Sequence, residues 1–451
     1  MQLVITLAIQ ISLMLVGILI SIFIGVKNKL EIIGLSYLLG SGFVTILFLI
    51  LHWFFNFKLD QLNFLFSLGI GILGPLIILT YLNKIQFIKE LFQFNLRHYF
   101  KKSSKIERSI LAIILILVAY GFFENYFWPI IDWDALAFYD FRSRVISLNK
   151  DMIEGIKLEY FFQYPPYTSF LHVFGYIFGA TRVKVAYSFI SVSLILSFFN
   201  LVRRKQNRLI SLFFTLILSS SPMIFEHSTM AYTNLSYTTF FSIGLIYLWF
   251  YNKKGIVKDL IVGSLLIGFS TWIRSTEPFW ISGLILIIIS IIKHKKNFII
   301  SLFSIIFLSL PNKLWRFFLV DLNTVSKIEI IDTQSHAIVA IKDFLSQNQS
   351  FLIMIIRTLE VFKYLLTTLA PEFISLTILL ILTFLNGIKN KYIEILTLVS
   401  LFIIIYGGTL IFSFTFETWD LIGGSIVRMS MIFIPLMLYI IAKDLKYEKK
   451  D

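Results

Sequence analysis

The sequence predicts an all-α polytopic membrane protein with about 13 transmembrane helices, and three observations carry that prediction. The first is composition. Of the 451 residues 57% are hydrophobic and 15% charged, with a mean hydropathy of +0.83, which leaves too little polarity to cover a soluble protein of this length. The second is spacing: apolar windows of about 20 residues recur from end to end, each matching a hydrocarbon core of about 30 Å. The third is the lack of segments alternating in polarity with the two-residue period of an outer-membrane barrel strand, so the spanning elements are helices.

In chain order, apolar segments at 2–26, 30–52 and 61–83 predict three N-terminal helices. The first has no basic n-region and runs on past the apolar core of a cleaved signal peptide, so it reads as a retained span. Lys84 to Arg108 is basic, with Lys89, Arg97, Lys101, Lys102 and Lys105, the pattern of a cytoplasmic segment against anionic headgroups. A helix at 107–128 then delivers the stretch from Trp128 to Tyr167 to the opposite side. That stretch holds Asp132, Asp134, Asp140, Arg142, Arg144, Lys150, Asp151, Glu154, Lys157 and Glu159. Each of these would cost about 2.5 to 3.5 kcal/mol at a bilayer centre, so the loop lies outside the membrane.

Residues 170–180 are apolar but too short to span and read as interfacial. Further spans fall at 181–202, 208–226, 235–251, 258–273, 277–293 and 297–320. A second polar segment, 321–350, precedes 351–370, where Arg357, Glu360 and Lys363 share one helical side and predict an interfacial helix. Spans at 371–388, 391–413 and 425–442 complete the chain. Basic connections alternate with nearly neutral ones, which places the N-terminus outside and the C-terminus in the cytoplasm of a plasma (inner) membrane. The net charge of +14 is thereby absorbed by topology and calls for no nucleic acid. With no cysteine, thiol and zinc-thiolate chemistry are excluded.

A group acting on a lipid-linked substrate belongs where a helix ends at the membrane face, and Asp132 and Asp134 stand there. An aspartate in that position can take the proton of an attacking hydroxyl, a role contributing about 10² to 10⁴-fold; its plain alternative is a solvated loop acid or helix cap. The pair also spells Asp-X-Asp, which chelates a metal with nucleotide sugars in soluble enzymes. Such sugars are cytoplasmic and this loop faces away, so no metal or other cofactor is expected.

The segment 133–145, WDALAFYDFRSRV, followed by QYPPY at 163–167, resembles the first large loop of the GT-C glycosyltransferase superfamily, in particular its bacterial protein-mannosyltransferase and aminoarabinose-transferase branches. The resemblance implies a GT-C-like fold and makes Asp134 the general base, with Asp132 second. Tyr139, Asp140, Arg142, Tyr164, Pro165 and Pro166 would shape the pocket. TWIRSTEP at 271–278 resembles a charged turn between two later helices, supplying Arg274 and Glu277. GSIVRMSMIFIPLM at 424–437 resembles a last-helix segment whose arginine, here Arg428, meets the lipid phosphate. The chain departs from the pattern at Tyr232, Thr233 and Asn234, where relatives have Tyr-Ala-Asp; Asn234 stays a pocket candidate, and Glu226 and His227 are the neighbours able to replace the missing acid.

The resemblance divides the chain into an N-terminal part (1–106, three helices and a basic cytoplasmic linker), a seven-helix catalytic module (107–320, with outer loop 128–167), a second outer loop and interfacial helix (321–370), and a C-terminal three-helix part with a basic tail (371–451). The expected activity is transfer of a sugar from a polyprenyl-phosphate donor to an extracytoplasmic glycan, lipid or protein, with inversion and with membrane lipids as the remaining partners. A polysaccharide polymerase or ligase would rely on outer-loop arginines rather than an early acid. A flippase or other transporter would place its charges near mid-membrane.

Overall fold

The computed structural model describes residues 1–84, 103–155, 161–326, 338–339, 341–343, 346, 351–385, 391–415 and 419–445. Every regular element among them is helical. The helices are α1 (Gln2–Ile24), α2 (Lys29–Phe55), α3 (Gln61–Tyr81), α4 (Lys105–Phe127), α5 (Phe141–Asn149), α6 (Tyr167–Tyr176), α7 (Val185–Arg203), α8 (Arg208–Ser220) and α9 (Pro222–His227). They continue as α10 (Thr233–Lys254), α11 (Val257–Ile273), α12 (Trp280–Lys293), α13 (Phe298–Ser326), α14 (Phe351–Leu385), α15 (Tyr392–Thr415), α16 (Gly423–Ser430) and α17 (Phe433–Asp444). Eight helices among the described residues are long and apolar enough to cross a membrane, or nine if the pair over 419–444, bent by 43°, counts as one span. This is the make-up of a multi-pass membrane protein.

Local chemistry sets the helix ends. The Asn28 side chain accepts from the N–H groups of Leu30 and Glu31 at the start of α2, and Ser104 with Glu107 forms a capping box on α4. Where α1 crosses α2 the backbones touch: a Cβ on Gly17 would lie 1.7 Å from the Ser36 carbonyl oxygen, and one on Gly40 1.8 Å from that of Leu13. Two glycines thus permit an approach that any side chain would forbid.

Hydrogen bonds identify which helix ends lie together. At one end Gln2 Nε2 donates to the Gly179 carbonyl at 2.9 Å, Leu59 N to Lys150 O at 2.8 Å, and Trp53 Nε1 to Asp321 Oδ2 at 2.8 Å. At the other, Glu31 accepts from Arg204 at 2.6 Å and Lys258 at 3.2 Å, while Glu394 pairs with Lys253 and Lys443. Successive long helices run alternately between these ends.

The centre of the bundle is α10, in which every residue from Thr233 to Asn252 is buried. A helix apolar all round belongs inside, and its first turn therefore opens onto whatever space the surrounding helix ends enclose. Helix α2 is nearly as deep. It packs on α1, α7 and α6, with Phe48 edge-on to both Phe170 and Phe174 at 5.1 Å, and Ser41 Oγ 3.0 Å from Tyr167 Oη. The three N-terminal helices thereby hold the long loop from behind.

Two segments differ from the sequence reading. Residues 170–175, expected at an interface, are covered by protein: α6 is buried from Tyr167 to Gly175, with α2 against its apolar face. Phe351–Leu385 is one helix of 35 residues that passes through Pro371, where an interfacial helix followed by a separate span was expected. Among apolar helices a proline's lost backbone hydrogen bond can be absorbed by local adjustment, so it need not end the helix. The second outer loop also starts later than position 321, since α13 runs on to Ser326. Most of that loop, the greater part of the basic linker and the tail beyond Leu445 lie outside the described residues.

Candidate active site

A polar cleft of about 200 Å³ opens at the start of α10, lined by Asp134, Phe138, Tyr139, Tyr164, Tyr232, Asn234, Arg274, Ser425 and Arg428. Five parts of the chain meet there. Asp134 precedes a π-helical turn, Ala135–Asp140, whose extra residue per turn re-aims side chains and often marks functional positions. That turn points Phe138 and Tyr139 into the cleft and leaves Asp140 in the protein behind it. Tyr164 ends the long loop, Tyr232 and Asn234 flank the start of α10, Arg274 follows α11, and Arg428 rides on α16. Tyr232, the residue before α10, supplies no side-chain cap, so the positive end of a long buried helix faces the cleft and favours an anion there.

The two arginines are held differently. Arg274 is mostly covered, its side chain 13% exposed, and spends its guanidinium inside the protein: Nε donates to Glu277 Oε2 at 3.2 Å, Nη2 to Glu277 Oε1, and Nη1 to Thr233 Oγ1 at 3.4 Å. Burial opposes its charge, but Glu277 and the neighbouring Tyr164 more than compensate and keep it protonated. It lies over the Tyr164 ring at 5.3 Å. Arg428 is 30% exposed and makes one ionic contact, Nη1 donating to Asp134 Oδ2 at 2.8 Å, where the Asp134 side chain is 35% exposed. Its Nη2 reaches Ser425 Oγ at 3.2 Å, and the group sits 5.3 Å from the centre of the Tyr232 ring. An ion pair this exposed is worth about 1 kcal/mol or less.

Behind the cleft, two charged residues of the loop serve its architecture. Arg142 is 2% exposed and donates from Nε to Ser169 Oγ at 2.7 Å, from Nη1 to the carbonyls of Phe161 at 3.0 Å and Tyr164 at 2.5 Å, and from Nη2 to Pro165 O at 3.1 Å. Burial pushes its guanidinium down to about 10, so it stays charged at neutral pH. Asp140 accepts from Arg144 Nε at 2.8 Å and from the Tyr176 hydroxyl, with His172 Nδ1 3.3 Å away. Burial alone would raise its carboxyl, but His172, Tyr176 and Arg144 hold it well below the usual carboxylate range.

Of the residues singled out in the sequence, the structure gathers Asp134, Tyr139, Tyr164, Asn234, Arg274 and Arg428 around one space, although 294 positions separate the first from the last. Glu277 stands one step back, bound to Arg274. Arg142, Asp140, Pro165 and Pro166 form the wall's support rather than its surface; Pro166 immediately precedes α6. Asp132 does not line the cleft; its carbonyl accepts from Leu136 N at 2.9 Å as the helical turn begins. His227 is buried outside it, Nδ1 donating to Met223 O at 3.0 Å, Nε2 without a partner, its ring 6.2 Å from that of Tyr232. Burial pushes it down to about 4, so it is neutral at physiological pH. Phe138, Ser425 and Tyr232 complete the lining; only the cation-binding face of an aromatic ring near Arg428 could have marked Tyr232 in advance.

Beyond α16 an apolar groove of about 370 Å³ runs between α14, α15 and α17, lined by Leu366, Phe373, Leu398, Phe402, Phe433 and Met437 among others. Phe433 begins α17, so the groove starts five positions after Arg428. The arrangement as a whole can place a carboxylate and two guanidiniums around a small polar group while an attached apolar chain lies alongside. Comparison of the chain with protein-family models, with curated proteins and with solved structures finds no match.

Proposed function

We propose that the chain is an integral-membrane glycosyltransferase that moves a sugar from a polyprenyl-phosphate carrier to an acceptor hydroxyl on the extracytoplasmic side, with inversion. In this reading the bundle crosses a plasma (inner) membrane about 13 times in a GT-C-like arrangement, N-terminus outside, with the cleft facing out. The observation that carries it is the meeting of Asp134, Arg274 and Arg428 in one tyrosine-walled cleft at the helix ends.

Asp134 takes the proton of the acceptor hydroxyl as its oxygen bonds to the anomeric carbon. The bond from that carbon to the phosphate oxygen breaks, and the carrier phosphate leaves with the electron pair. Charge grows on the phosphate as it departs, and Arg274, Arg428 and the start of α10 are placed to stabilise it. Tyr139, Tyr164 and Tyr232 offer ring faces to the sugar, and the apolar groove beside α16 takes the prenyl chain. Purified protein given a labelled polyprenyl-phosphate sugar and an acceptor tests this directly. Asp134→Asn should lower transfer by about 10² to 10⁴-fold and retain carrier binding; undiminished transfer would remove Asp134 from the reaction.

A further inference from the structure

A carboxylate oxygen that a guanidinium already holds is not free to meet an acceptor hydroxyl, and Asp134 has one oxygen so held. Its Oδ2 takes the N–H of Arg428 Nη1 at 2.8 Å, and Arg428 is the group that the carrier phosphate also needs. The other arginine offers no such conflict, because Glu277 and Thr233 occupy all three of its nitrogens. Arg428 differs in every respect that matters for exchange. It is partly exposed, it lines the open space, its second hydrogen bond among the described residues is to the Ser425 hydroxyl three residues back on its own helix, and its guanidinium lies over the Tyr232 ring.

We propose that Arg428 is a latch on Asp134: it holds the carboxylate until the phosphate of the incoming carrier draws it off, so that the base is released only when the donor is in place. The inference rests on the reading of the cleft as a phosphate-carrier site. The phosphate outcompetes the carboxylate because it presents several oxygens to the planar guanidinium and meets Arg274 and the positive end of α10 at the same time. Freed from its cation, Asp134 has both carboxylate oxygens open to the acceptor hydroxyl. One arginine thereby serves binding and timing, and no backbone movement is needed beyond a change of its side-chain torsions.

Competition for one arginine has a thermodynamic signature that a bystander carboxylate lacks. Binding of sugar-free polyprenyl phosphate to the full chain in detergent is measured for the wild type, Asp134→Asn, Arg428→Gln and the double variant, with unphosphorylated polyprenol as the control. Asp134→Asn should bind the carrier up to about 5-fold tighter, and the gain should disappear in the Arg428→Gln background. Polyprenol should show no gain. A gain that persists without Arg428 would mean plain repulsion between Asp134 and the phosphate, and equal affinity of wild type and Asp134→Asn would mean no competition; either overturns the latch. Should neither protein bind polyprenyl phosphate in preference to polyprenol, the phosphate-carrier reading itself falls, and the latch with it. Arg428→Lys, which keeps the charge but loses the planar fork, serves the cycle if the Gln variant does not fold.

Discussion

The two ends of the bundle both concentrate charge, and they treat it in opposite ways. At the end away from the cleft, acids and bases are matched and closed off. Glu31 takes Arg204 and Lys258, Asp259 takes Arg204, and Glu394 takes Lys253 and Lys443. Both Glu394 and Asp259 are at most 1% exposed, and the pairs tie α2, α7, α10, α11, α15 and α17 together. At the cleft end, Arg142 is buried against one hydroxyl and three carbonyls among the described residues, and Asp134 and Arg428 face open space. Buried ion pairs between helices join them, whereas an exposed pair facing open space is available to a ligand.

The sharpest break of this contrast is Arg142→Ala. It strips one hydroxyl and three carbonyls of their donor, and each buried acceptor left unsatisfied costs about 1 to 3 kcal/mol. Because two of those carbonyls belong to Tyr164 and Pro165, thermal stability and transfer should fall together; a variant that loses neither would show that water replaces the guanidinium. Glu394→Gln comes next. It leaves the buried Lys443 ammonium facing a neutral amide, and breaking a buried pair costs about 3 to 5 kcal/mol. Melting in detergent should drop clearly while transfer per folded molecule stays at the wild-type level. Transfer lost in proportion to Asp134→Asn would mean that the two ends are coupled.

The physics of burial explains which of these roles could be read from residues alone. Length and apolarity expose a spanning helix directly, so α1 to α4, α7, α13 and α15 were legible within a few residues. The polar stretch after α4 was legible as a loop for the same reason. Its interior was not. Arg142 and Asp140 carry the same signal in sequence as Arg428 and Asp134, a charge beside aromatics, yet one pair supports the wall and the other lines the space. Only the positions of Ser169, His172 and Tyr176, brought round by α6, decide between those fates. The segment 351–370 misled in the other direction: Arg357, Glu360 and Lys363 on one helical side suggested an interfacial helix, yet the helix runs on through Pro371. The gathering of Asp134, Arg274 and Arg428 was legible solely through the order of short motifs along the chain.

The smallest expected effect belongs to Asp140. Asp140→Asn removes the carboxylate that Tyr176, Arg144 and His172 surround. Arg144 is 63% exposed, so its ion pair counts for little, and the loss should be about 1 to 2 kcal/mol from the buried hydrogen bond. The pH dependence carries the information. The Asp140 carboxyl lies below its unfolded value of about 3.9, so its contribution is fully present above that pH and fades only as pH falls below it. Wild type and Asp140→Asn should therefore differ by a constant amount in thermal stability between pH 8 and pH 5 (about three units across which only histidine titrates freely) and converge only below about pH 4. Convergence already between pH 7 and 5 would mean that some group other than the depressed carboxyl governs the support behind the cleft.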